Sequence, residues 1–233
     1  MAGKAGCEGD PQIEWGYSGP GAPEHWASLS TDFAACANGK QQSPIDITGY
    51  QTGGPGPISF SFTHAEATLR NDGRQVHVDY TPGNTSILEG RVFGLKSAHL
   101  HSPSEHLMYG ESFAAELHMV HADYGDNLAV VGLLLTLGDA SPVVQSILDA
   151  APPNGETANA PIPLVLPTDL SYYRYDGSKT TPPCDEPVDW YVLRRPMTVS
   201  REQVASLLSL SGGPNNRPVR PIGDRVIRIG GAP

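Results

Sequence analysis

Twenty-two prolines and 26 glycines are spread along a chain of 233 residues, and they confine it to short elements. Proline interrupts a helix and gives a sheet ladder no donor, while glycine weakens the interior of either, so many short strands are favoured over long helices. Strand-like runs stand at 58–62, 75–80, 91–101, 113–121 and 128–137. The last is apolar almost throughout, as in a strand buried on both faces. Ser141 and Pro142 open a predicted short helix that runs to about Ala150, with a capping residue followed by proline at the first helical position. A second helix is predicted over 200–210, where Ser200 and Gln203 form a capping-box start and Gly212 lies just past the end. The Pro/Asn/Gly-rich segment 151–163 is expected as a surface loop, and 1–30 as a loop-rich N-terminal arm anchored by Trp15, Tyr17 and Trp26. No linker, charge run or repeat divides the chain, so 1–233 is expected to form one mainly β (α+β) domain.

Charge and hydropathy exclude some classes of function. A formal net charge of −10, with no Lys/Arg-rich run, argues against a nucleic-acid partner. No apolar run is long enough to span a bilayer, and the N-terminus has no hydrophobic signal core. The chain is therefore either cytosolic or has lost a signal. Asn84-Thr85-Ser86 fits the N-glycosylation pattern, a weak signal on its own.

The chemistry concentrates in residues 98–121. His99 and His101 are two apart, so on a strand both side chains point to one face and Leu100 to the other. Glu116 and His118 repeat that spacing in the next strand-like run. Two imidazoles from one strand and one from its neighbour can converge on a point, giving three neutral nitrogens and an open fourth position, as in a catalytic zinc site. The blander reading is that a chain with eight histidines produces such pairs by chance.

His-x-His followed by Pro103-Ser104-Glu105-His106 and Glu116-Leu117-His118-x-Val120-His121 resembles the α-class carbonic anhydrases, above all their bacterial and algal branch. The resemblance runs from Trp15-Gly16-Tyr17 to Asn216-Arg217-Pro218, through 39–47, Thr180-Thr181-Pro182-Pro183-Cys184 and Val188-Asp189-Trp190. It implies a central twisted, mostly antiparallel sheet of about ten strands with short peripheral helices; a monomer or homodimer is expected, and the sequence does not choose between them. It also implies reversible hydration of CO2 to bicarbonate and a proton by zinc-bound hydroxide, with Zn2+ on His99, His101 and His118. Glu116 then matches the acceptor for His118, Thr180 the residue that orients the hydroxide, and Glu105 the carboxylate that receives the hydrogen of Thr180. His106 and Tyr175 match buried hydrogen-bonding positions. Val120, Val130, Thr181, Val188 and Trp190 match the substrate pocket, although core packing explains the apolar ones equally well. His25, His64 and His121 are expected as structural or surface residues. Cys36 and Cys184 match a disulfide pair of the bacterial members, which needs an oxidising compartment and so implies a periplasmic or secreted protein. Two buried free thiols are the alternative, and Cys7 is left over as an exposed thiol or a remnant of processing.

Three positions depart from the family pattern. Arg74 stands where fast members carry the histidine that shuttles protons, and a guanidinium stays protonated and cannot relay them. His77, three residues on, is the candidate substitute, since a histidine titrates near neutral pH. Lys179 replaces a leucine that faces the CO2 pocket; its ammonium either crowds the pocket, depresses the pKa of the zinc water, or snorkels to solvent. Ser97 replaces the glutamine that orients His99 and is shorter. Slower turnover with retained zinc is expected, and a weak or inactive binding protein of the same fold is the alternative.

Overall fold

The computed structural model describes residues 14–231; Cys7 lies outside them. Twelve strands, rather than about ten, build one sheet. Its main path runs from Thr157–Pro161 through Glu66–Asn71, Val76–Tyr80, Arg91–His101, Ala115–Ala122, Leu128–Leu137, Val188–Leu193 and Tyr172–Gly177 to Arg228–Gly230. Pairing is antiparallel except where Leu128–Leu137 meets Val188–Leu193 and Met197–Val199. A small second sheet joins Asp46–Ile47, Leu107–Met108 and Glu111–Ser112.

The expected helices form at Pro142–Ala150 and Arg201–Leu210, and the second begins with the full reciprocal capping box of Ser200 and Gln203. Val143, Val144, Ile147 and Leu207 of this pair join the core on one face of the sheet. Leu128–Leu137 is divided between two cores. Ala129, Val131, Leu133 and Leu135 enter the core under the helices, whereas Val130 and Leu134 face a second core with Ile45, Ile47, Tyr175 and Trp190.

The segment 151–163 is only partly a loop. Thr157–Pro161 pairs antiparallel with Glu66–Asn71 as the edge of the sheet, where its polar residues face water and Pro161 sits at the end of the ladder. Near the N-terminus Trp26 is fully buried, its Nε1 donates to the carbonyls of Gly16 and Gly21, and Trp15 and Tyr17 meet it edge to face. Cys36 and Cys184 are joined in a disulfide. Asn84 is buried and its amide is used by the backbone at 63 and 64, so the glycosylation pattern there is not accessible.

Candidate metal centre

A bulge in Arg91–His101 turns the histidines away from the core. Its pairing register with Ala115–Ala122 shifts between Leu95 and Ser97. Before the bulge Phe93 and Leu95 enter the main core; after it Ala98 and Leu100 do. The one-residue slip exchanges the faces, so His99 and His101 leave the side that Phe93 and Leu95 occupy. His99 then lies directly opposite His118, and His101 opposite Glu116.

The ligand nitrogens of His99, His101 and His118 lie within 4.8 Å of one another. Hydrogen bonds decide which nitrogen each ring offers. His101 Nδ1 donates to the Asn215 carbonyl at 2.7 Å, which leaves Nε2 buried and without a partner. Glu116 Oε1 is 3.0 Å from His118 Nε2, off the axis of a good hydrogen bond but near enough to favour the proton there and free Nδ1. Burial lowers all three imidazoles below their ordinary value, His101 to about 4, so each is neutral at pH 7 and has a lone pair to give. These residues fit a metal ion.

Glu116 also belongs to a second cluster with His106 and His118. There the nitrogens of His106 are already used. Nδ1 donates to Glu116 Oε1 at 2.7 Å, and Nε2 accepts from the Tyr175 hydroxyl at 2.7 Å, which in turn accepts from Ser43 Oγ at 2.8 Å. Sequence reasoning did not single out Gly132, which lies opposite His118 on Leu128–Leu137. A Cβ at Gly132 would come 2.9 Å from Glu116 Oε1, so the glycine makes room for the carboxylate. An isolated glycine in an apolar strand is the signal for such an approach.

Glu105 is buried beside the triad. Its Oε1 accepts the Arg217 N–H at 2.8 Å, and its Oε2 lies 3.5 Å from His101 Nε2. Burial raises this carboxyl to about 7, against the opposing pulls of His118, the Thr180 hydroxyl and the Arg217 N–H. Gln75, His77, Ser97, His99, His118 and Thr180 line a cavity of about 150 Å3, together with Val120, Leu128, Val130, Lys179, Thr181 and Trp190. Val188 does not reach that lining: it packs in the second core, and Leu128, its neighbour in the pairing, takes the wall position.

Arg74 turns away from the cavity, donates to the Trp15 carbonyl at 3.0 Å and stacks 4.3 Å from the Trp15 ring. Lys179 snorkels, with Nζ donating to Asp185 Oδ2 at 2.8 Å. Ser97 lines the cavity without a hydrogen bond to His99 among the described residues. His77 stands with its ring centre 6.0 Å from that of His99 and its Nε2 3.3 Å from Asp72 Oδ2. His121 is buried on the far side against Phe62, and His25 and His64 are exposed.

Three convergent neutral nitrogens on a sheet, open to a small part-apolar cavity, are the mark of a mononuclear metalloenzyme acting on a small substrate. The family model of the eukaryotic-type carbonic anhydrases matches residues 21–230. A carbonic anhydrase of Pectobacterium carotovorum is 37% identical over 220 residues, covering 92% of this chain and 90% of its own. Two solved structures superpose with a TM-score of 0.89: a hyperthermostable carbonic anhydrase from a hydrothermal vent chimney, 38% identical over 93% of this chain and 99% of that one, and the α-carbonic anhydrase of Thermovibrio ammonificans in complex with sulfanilamide, 36% identical over 92% and 98%. The chain belongs to the α-class, eukaryotic-type carbonic anhydrase family, and its activity is the hydration of CO2.

Proposed function

We propose that His99, His101 and His118 hold Zn2+ and that CO2 is hydrated in the cavity above them. The observation that carries this reading is the convergence of three neutral imidazoles, two of them fully buried, whose hydrogen bonds leave His101 Nε2 and His118 Nδ1 free. Zinc bound there supplies a Lewis acid that brings a water to a pKa of about 7, the value known for carbonic anhydrase. Neutral nitrogen ligands suit that task because they leave the ion its full charge, and three of them leave a fourth position open.

The other residues orient and exclude. Glu116 and the Asn215 carbonyl fix the rings of His118 and His101. Thr180 would orient the attacking oxygen by accepting its hydrogen at Oγ1, with its own hydrogen directed to Glu105, the carboxyl buried beside the triad. Glu105 has to be ionised for this, and the Arg217 N–H and the Thr180 hydroxyl both favour that form. Val120, Leu128, Val130 and Trp190 give CO2 an apolar wall, with Thr181 at its edge. His77 takes the proton outward, and Asp72 orients its ring. Arg74 is bound to Trp15 and shares Asp72 Oδ2 with His77, its Nη2 donating there at 3.3 Å. The Cys36–Cys184 bridge supports a periplasmic or secreted location. Among the described residues no helix is long and apolar enough to cross a membrane.

Stopped-flow CO2 hydration of zinc-loaded protein at several buffer concentrations tests the reading. The rate is expected to rise with buffer and level off, and His77→Ala should lower that plateau while leaving kcat/KM in place, because proton export follows the chemical step. One zinc per chain with no rate above background would overturn the proposal.

A further inference from the structure

Among the described residues lining the cavity, Lys179 alone carries a fixed positive charge. Its ammonium is held at the mouth, with Nζ donating to Asp185 Oδ2 at 2.8 Å between side chains that are 41% and 53% exposed. The same two residues are also joined through the backbone, where the Lys179 N–H donates to the Asp185 carbonyl at 3.0 Å. Inside that ring the Cys184 N–H donates to the Thr181 carbonyl at 2.9 Å, and Cys184 is bridged to Cys36. The path of the loop carrying Thr180 is therefore fixed without the Asp185 carboxylate. What the carboxylate adds is the place of the ammonium.

We propose that Asp185 is a positioning residue that tethers the Lys179 ammonium at the cavity mouth, so that this pair sets how tightly the site holds small monovalent anions, bicarbonate among them. The inference rests on the reading of the three-histidine cavity as the CO2 site. The lysine stem is flexible, Lys179 is part of the cavity lining, and no carboxylate is among the described residues of that lining. Released from Asp185, the ammonium can swing inward, where partial desolvation strengthens its attraction for any anion in the cavity. CO2 is neutral and the product is an anion, so an inward charge retains product without helping substrate. The tether keeps the mouth electrically balanced and lets the anion leave.

Thiocyanate is the probe, titrated into cobalt(II)-loaded protein and followed by visible absorption, which gives a Kd without turnover. In Asp185→Asn the backbone hydrogen bond is retained, and thiocyanate should bind about fivefold more tightly, the scale of one exposed ion pair. Asp185→Glu keeps a carboxylate and should stay at the wild-type value. The double variant Lys179→Met/Asp185→Asn should bind as Lys179→Met does. Bicarbonate inhibition of CO2 hydration should tighten in Asp185→Asn in the same proportion, with kcat/KM for CO2 unmoved. An unchanged Kd in Asp185→Asn overturns the tether, and so does a shift that survives removal of Lys179. If the wild-type protein binds thiocyanate but does not hydrate CO2, the functional reading fails, while the titrations still decide the tether.

Discussion

Replacing Glu116 by glutamine removes one charge at the point where four donors meet. Oε2 accepts the backbone N–H groups of Glu105 and His106 at 2.9 and 2.8 Å; Oε1 accepts His106 Nδ1–H at 2.7 Å and lies 3.0 Å from His118 Nε2. Burial by itself would raise this carboxyl, but attraction to His106 and His118 and the hydrogen bond from His106 hold it well below the usual carboxylate range. An amide has one acceptor and one donor end. If its oxygen keeps the two backbone N–H groups, its NH2 faces two imidazole N–H groups, and the flipped amide reverses the conflict. Two contacts to a charged acceptor are lost either way, at about 1.5–3 kcal/mol each, or about 3–6 kcal/mol together. In a chain of this length each kcal/mol moves the melting midpoint by about 2–4 °C, so calorimetry of the metal-free protein should show a fall of roughly 6–24 °C. His118 also loses the group that fixes its tautomer, and competition with a chromophoric chelator should show zinc held about 10–100-fold less tightly. A Glu116→Gln protein that melts with the wild type and binds zinc as tightly would refute this account of the carboxylate.

The alternation of His99, Leu100 and His101, and of Glu116, Leu117 and His118, was enough to put the candidate ligands on one face, because a strand has a period of two. Simple alternation nevertheless misplaces Phe93 and Leu95, which it sets on the histidine side. The bulge before Ser97 corrects the parity, and a register slip leaves no mark in residue type. Thr157–Pro161 was hidden because an edge strand facing water needs no apolar face. The Asn215 carbonyl and the Arg217 N–H, which hold His101 and Glu105, are backbone groups that almost any residue type supplies. Lys179 shows a different limit. Its presence in the pocket wall followed from the family pattern, but the direction of its ammonium depended on Asp185, an exposed loop residue with no periodicity to signal it. Val188 and Leu128 are adjacent and both apolar, and only packing decides which of them lines the cavity.

Reduction of Cys36–Cys184 opens a loop of 148 residues and should lower stability by about 3–5 kcal/mol in the chain-entropy picture, read as a shift in urea midpoint with and without a phosphine reductant. Gly132→Ala drives a methyl against Glu116 Oε1 in a packed strand; a loss of about 1–3 kcal/mol is expected, together with weaker zinc binding by chelator competition. His121 makes the fold sensitive to acid from outside the metal centre. Its Nδ1–H donates to the Met119 carbonyl at 2.9 Å, so Nε2 accepts from the Ser86 hydroxyl at 2.9 Å, and the ring stacks on Phe62. Burial lowers its pKa from 6.5 to about 4. Above the unfolded value both states are neutral and pH has no leverage through this group. As pH falls from about 6.5 to about 4 the unfolded chain takes up a proton that the folded one refuses, and roughly 3 kcal/mol of stability is lost across that window. Urea unfolding of wild type and His121→Asn, both metal-free, isolates this share, because the other buried histidines are common to both proteins. The wild type should lose about 3 kcal/mol more than the variant between those limits. Parallel curves would show that His121 is protonated as readily in the fold as outside it.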